Sequence, residues 1–145
     1  MLDTYRIGER LSLIRTRLLL LEKEYGGQPK ERFFKDEMFN SAAERSLQVA
    51  IQATIDISNH IVSALGLKKP KEDTAETFRI LMEEGILTEA LALKMVRVAG
   101  YRNILVHGYL EINREETYNN INHHLSDLVE FAKQIEKFLT LREKK

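Results

Sequence analysis

Ile7-Gly8-Glu9-Arg10-Leu11-Ser12-Leu13-Ile14-Arg15-Thr16-Arg17-Leu18-Leu19-Leu20-Leu21-Glu22-Lys23-Glu24-Tyr25 places apolar residues at positions 7, 11, 14, 18, 21 and 25. The steps alternate four and three, the narrow stripe of an α-helix packed among other helices. Near the other end, Ile121, Leu125, Leu128, Ala132, Ile135 and Leu139 repeat the alternation. No segment has the two-residue alternation of a half-buried strand.

Between these stripes the chain is punctuated by caps and breakers. Gly26-Gly27-Gln28-Pro29 ends the first helix. A second stretch runs from about Lys30 to Leu65, with a bend expected near Asn40-Ser41, where Ser41 and Glu44 have capping-box spacing. Gly66 and then Pro70 close it. Asp73-Thr74-Ala75-Glu76 opens a short helix that stops at Gly85, and Thr88 caps another through Val98 or Ala99. Beyond Gly100 the chain either continues as helix or restarts after a kink. Asn113 with Glu116 predicts the start of the last helix. The pattern is that of one all-α domain over residues 1–145, an up-and-down bundle of about five helices, its first and last helices long enough to pair. The two narrow stripes also leave room for a homodimer.

Composition agrees. The 145 residues are 43% hydrophobic and 30% charged, an ordinary globular mixture long enough to bury a core. The absence of cysteine removes disulfides, thiolate metal sites and cysteine nucleophiles. The start lacks the apolar core of a signal peptide, and Leu18-Leu19-Leu20-Leu21 is far too short to span a bilayer. A cytoplasmic protein is therefore expected. Lysine plus arginine equals aspartate plus glutamate. Such neutrality argues against broad electrostatic capture of nucleic acid, so affinity for RNA would have to come from a few arginines or a partner chain.

The densest chemistry lies at Tyr101-Arg102-Asn103-Ile104-Leu105-Val106-His107-Gly108-Tyr109. Arginine supplies a permanent planar cation that fits phosphate, and histidine exchanges protons near neutral pH. On a helix Asn103 and His107 share a face, whereas Arg102 sits about 140° around from His107. A lone chain does not stack the pair, and two facing copies would line one groove with both sets. Ile104 and Leu105 point away and are expected to anchor the segment in the core.

Arg102 to Tyr109 resembles the Arg-Asn-x-x-x-His-x-Tyr signature of the HEPN ribonucleases, specifically the HepT-like toxins of bacterial and archaeal toxin–antitoxin pairs. The likeness extends over Ala50 to Ile61, Thr77 to Leu81, Gly85-Ile86-Leu87 and Met95 to Tyr101, in the family's order. The resemblance implies a metal-independent ribonuclease without cofactor, in which the ribose 2′-hydroxyl attacks the neighbouring phosphorus. By the same resemblance His107 is the general acid/base, Arg102 stabilises charge on the phosphate and Asn103 orients the pair. It implies a homodimer with both motifs at a shared cleft, RNA as substrate, and a nucleotidyltransferase antitoxin that places AMP on Tyr109. A catalytically silent dimer acting as a nucleotide- or nucleotidyltransferase-binding adaptor is the alternative.

Gln48, Gln52, Asp56, Asn59 and Ser63 form a polar stripe opposite an apolar one. Asp56 and Asn59 are accessory candidates, able to orient His107 or an RNA base or simply to face solvent. His60, beside this stripe, is expected to be a partly buried spacer. His123 and His124 are adjacent, so they point about 100° apart and do not chelate as an i, i+4 pair does. They read as helix-surface or interface residues, and no metal site is expected.

Overall fold

The computed structural model describes residues 1–67, 73–108 and 110–144, with backbone alone for 110–112. Tyr109, the expected AMP acceptor, lies outside the described residues. Seven helices make up the described part: α1 (Thr4–Tyr25), α2 (Lys30–Lys35), α3 (Glu37–Ala64), α4 (Thr74–Glu83), α5 (Glu89–His107), α6 (Leu110–His123) and α7 (Leu125–Glu143). None is long and apolar enough to cross a membrane.

The count exceeds five because two predicted segments each divide. The second breaks at Asp36, rather than bending at Asn40-Ser41. Asp36 closes α2 and caps α3, its carboxylate accepting the Phe39 N–H at 3.0 Å. Ser41 is then an ordinary exposed position inside α3. The break turns Phe33 inward, where it meets Phe39 and Tyr118 edge-on with ring centroids 5.1 and 5.4 Å apart. That aromatic contact, invisible to local capping rules, favours the earlier break.

Asn113 likewise does not open the last helix. It is buried within α6, and the chain breaks at His124 instead. Thr117, Asn120 and Asn122 each bond back to the carbonyl four residues earlier. Such back-bonding competes with the helical ladder, which helps explain why α6 stops there. Arg97 straps the break, donating to Asn120 Oδ1 at 3.0 Å and Asp127 Oδ2 at 2.9 Å.

The long α1 and α3 lie along one another, and Ile7, Leu11, Ile14, Leu18 and Leu21 are all buried, as the stripe predicts. α7 packs on α1, α3 and α5 through Leu128, Phe131, Ala132 and Ile135. α4 packs on α5, and Phe78 meets Phe131 with centroids 6.2 Å apart. His60 is half-buried, its Nε2 accepting the Asp3 N–H at 2.9 Å, so it ties the start of α1 to α3.

α5 resolves the ambiguity at Gly100: the helix runs through it unbroken to His107. Gly100 is exposed, and nothing lies within 4 Å of where its Cβ would stand. Glycine there weakens the helix entropically without a steric reason. Gly100→Ala is therefore expected to raise the unfolding free energy by about 0.5–1 kcal/mol, measured by urea denaturation.

Candidate functional site

Thr88 starts α5 by accepting the Leu91 N–H at 3.2 Å, and Gly108 stops it in the left-handed region at φ 71°. His107 therefore occupies the last turn and Arg102 lies five residues back. Along this uninterrupted helix the two project in different directions, as the periodicity predicts. Arg102 is half-buried, whereas Asn103 and His107 are exposed.

The expected anchors are only partly right. Ile104 and Leu105 are half-exposed, and Leu105 rests on the edge of the core. The anchor is Tyr101, 2% exposed, whose hydroxyl pairs with Thr117 Oγ1 at 2.7 Å. Thr117 in turn donates to the Asn113 carbonyl at 2.7 Å. Burial pushes the Tyr101 phenol up, so it remains a neutral structural hydroxyl beside Arg102.

Beneath lies Glu44, to which the buried Asn40 side chain donates. Burial raises the Glu44 carboxyl above its ordinary value of 4.5, while the Asn40 hydrogen bond and the Arg114 charge pull it down. A raised folded value means that Glu44 supports the fold below its unfolded pKa and loses that support as pH rises through the folded one. Glu44→Gln is neutral throughout, so its melting temperature should gain on the wild type as pH rises from the ordinary carboxylate value of 4.5 towards neutrality. A constant difference across that window would remove the burial effect.

Two surface grooves meet at Arg102. The larger, about 610 Å³, is lined by Arg10 from α1, Arg45, Gln48, Gln52 and Asp56 from α3, and Arg102 from α5. Three cations from three helices thus outnumber the two carboxylates of its lining, Glu9 and Asp56. Asp56 is held on both sides, 3.5 Å from Arg10 Nε and accepting from Gln52 Nε2 at 2.9 Å. The smaller groove, about 590 Å³, is lined by Gln52, Asn59, Ser63, Asp73, Thr77 and Arg102, over the apolar Ile55 and Val62. The polar stripe predicted on α3 therefore lines both open grooves, with Gln52, Asn59 and Ser63 exposed.

Of the predicted site residues, Arg102, Asp56 and Asn59 come together along these grooves. His107 and Asn103 line neither. Arg10 and Arg45 are additions that sequence reasoning passed over, since each looks locally like a solvated helix position. The packing of α1 along α3 brings Arg10 to Arg45, and the packing of α3 against α5 brings both to Arg102.

His123 and His124 sit at the α6/α7 junction and line neither of these grooves. His123 stacks edge-on to Tyr118, and His124 Nδ1 lies 3.8 Å from Asp127 Oδ2. Burial, then the Arg97 charge, lowers the His124 imidazole, with Asp127 opposing. Among the described residues no three histidine, cysteine or carboxylate side chains gather as a metal-holding group.

The family described as Ribonuclease HepT-like matches residues 14–135. The chain is 35% identical over 139 residues to the tRNA nuclease HepT of Aphanizomenon flos-aquae, covering 90% of this chain and 93% of that protein. It is 28% identical over 125 residues to the mRNA nuclease HepT of Shewanella oneidensis, covering 86% and 92%. Among solved structures, the tri-AMPylated HEPN toxin of S. oneidensis in complex with its MNT antitoxin superposes with a TM-score of 0.81 at 28% identity. That match covers 94% of this chain and 99% of the toxin.

Proposed function

The chain belongs to the HepT-like ribonuclease family of HEPN proteins, and from that premise we propose that it is an RNA-cleaving toxin restrained by a nucleotidyltransferase antitoxin. The observation that carries the reading is Arg102, half-buried at the meeting of two grooves, with Arg10 and Arg45 along the larger one. A neutral chain gains local affinity for a phosphodiester backbone from such a cluster without a basic surface.

In this reading His107 takes the proton of a ribose 2′-hydroxyl, whose oxygen attacks the neighbouring phosphorus. The bond to the 5′-oxygen breaks, and that oxygen leaves with a proton returned by an imidazolium. The products are a 2′,3′-cyclic phosphate and a 5′-hydroxyl. Arg102 holds the non-bridging oxygens, where a fixed cation favours the developing charge. Asn103, four residues before His107 on the same helical face, orients the imidazole.

A second copy completes the site. His107 lies outside the grooves of its own chain, so a facing protomer is the route that brings imidazole and guanidinium to one phosphate. Support comes from the rim, where Leu13 and Val106 leave apolar surface exposed, Val106 to 66%. AMP on Tyr109, two residues beyond His107 in the sequence, would add negative charge and bulk that repel a polyanionic substrate. The AMPylated state of the related S. oneidensis toxin supports this mode of control.

The test is incubation of purified protein with RNA in EDTA. Products ending in a cyclic phosphate are expected, and no cleavage by an unmodified, dimeric preparation would overturn the reading.

A further inference from the structure

The smaller groove has a character of its own. α3 floors both grooves, its residues 45–56 lining the larger and 52–63 the smaller. Gln52 and Arg102 are shared, so they stand at the junction, and the smaller groove leads from them towards Leu67 and Asp73.

Among the described residues of its lining, Arg102 at the junction is the cation, and the Asp73 carboxylate is taken up as the N-cap of α4, accepting the Ala75 N–H at 3.0 Å. A phosphate is therefore favoured on the arginine side. What remains is an apolar floor, Ile55 and Val62, bordered by the neutral polar groups of Asn59, Ser63 and Thr77. A flat heterocycle with a hydrogen-bonding edge suits such a surface.

Asn59 is fixed to read that edge. Thr77, only 2% exposed, donates from Oγ1 to Asn59 Oδ1 at 3.3 Å. That contact leaves the amide NH₂ as the end able to donate into the groove. Gln52 and Asn59 are seven residues apart on one helix, about 10 Å along its axis. This is of the order of the reach from a nucleotide's phosphate to the far edge of its base.

We infer that the smaller groove receives the base of the nucleotide whose phosphate rests on Arg102, and that Asn59 donates to an acceptor on that base. The inference rests on the RNA-cleaving reading of the same site. It makes Asn59 a specificity-determining residue.

The experiment maps cut sites on an RNA pool of randomised sequence, using wild type and Asn59→Ala. Wild type should prefer one base at a position adjoining the cut. In the variant that preference should fall about tenfold, the discrimination carried by one base-edge hydrogen bond. The same preference in both proteins, or none in wild type, overturns the inference. Wild type that cuts no RNA refutes the nuclease reading instead. The groove is then judged by titrating the four nucleoside 5′-monophosphates while following the Asn59 side-chain amide by NMR. Shifts at Asn59 and Thr77 sustain a base site, and their absence overturns it.

Discussion

His107→Ala is expected to lower RNA cleavage by about 10²–10⁴-fold, the range for removal of a positioned general acid/base. The melting temperature of the variant, measured beside that of the wild type, reports any change in folding on its own. Activity and stability are thereby separated. Arg102→Ala should be impaired as well. Arg102→Lys should fall between, because lysine keeps the charge and loses the planar fork that holds two phosphate oxygens. Cleavage by His107→Ala at the wild-type rate would remove His107 from the chemistry. If Arg102→Lys matched wild type, a point charge would suffice at that position.

The second large effect is on the fold. Tyr101→Ala should cost about 3–5 kcal/mol, the range for deleting a large buried aromatic ring. For a domain whose total stability is about 5–15 kcal/mol, that removes much of the margin. Tyr101→Phe keeps the ring and loses the bond to Thr117, so about 1 kcal/mol is expected. The penalty is limited because Thr117 still donates to the Asn113 carbonyl. Urea denaturation of both variants separates the contribution of the ring from that of the hydroxyl. Equal losses would mean that the hydrogen bond, and not the ring, holds the turn carrying Arg102.

Much of this organisation is visible in the chain. The α1 stripe is read correctly at Ile7, Leu11, Ile14, Leu18 and Leu21 because one helical face meets one core, and periodicity reports that directly. Asp73 and Thr88 are read correctly as caps because an N-cap is a local hydrogen bond. The breaks at Asp36 and His124 are not local events. Asp36 competes with the better-looking Ser41/Glu44 spacing, and the aromatic contacts of Phe33 favour the earlier turn. The same division holds at the site. Asp56 and Asn59 are visible as one face of α3, and Arg45 continues that face by one turn, whereas Arg10 requires the docking of α1 on α3. Nothing local marks Tyr101 as the anchor, since its partner lies sixteen positions away on another helix.

The unbroken course of α3 beneath both grooves has an evolutionary consequence. Arg45, Gln52, Asp56 and Asn59 keep their common outlook only while the helical phase between them is conserved. One inserted residue would rotate everything beyond it by about 100° and advance it by about 1.5 Å. Homologous chains that use this face should therefore diverge between positions 45 and 63 by exchange of side chains alone. Gains and losses of length should collect outside that span, as between α3 and α4. The helix works as a ruler, and aligned relatives would show it as a stretch without gaps.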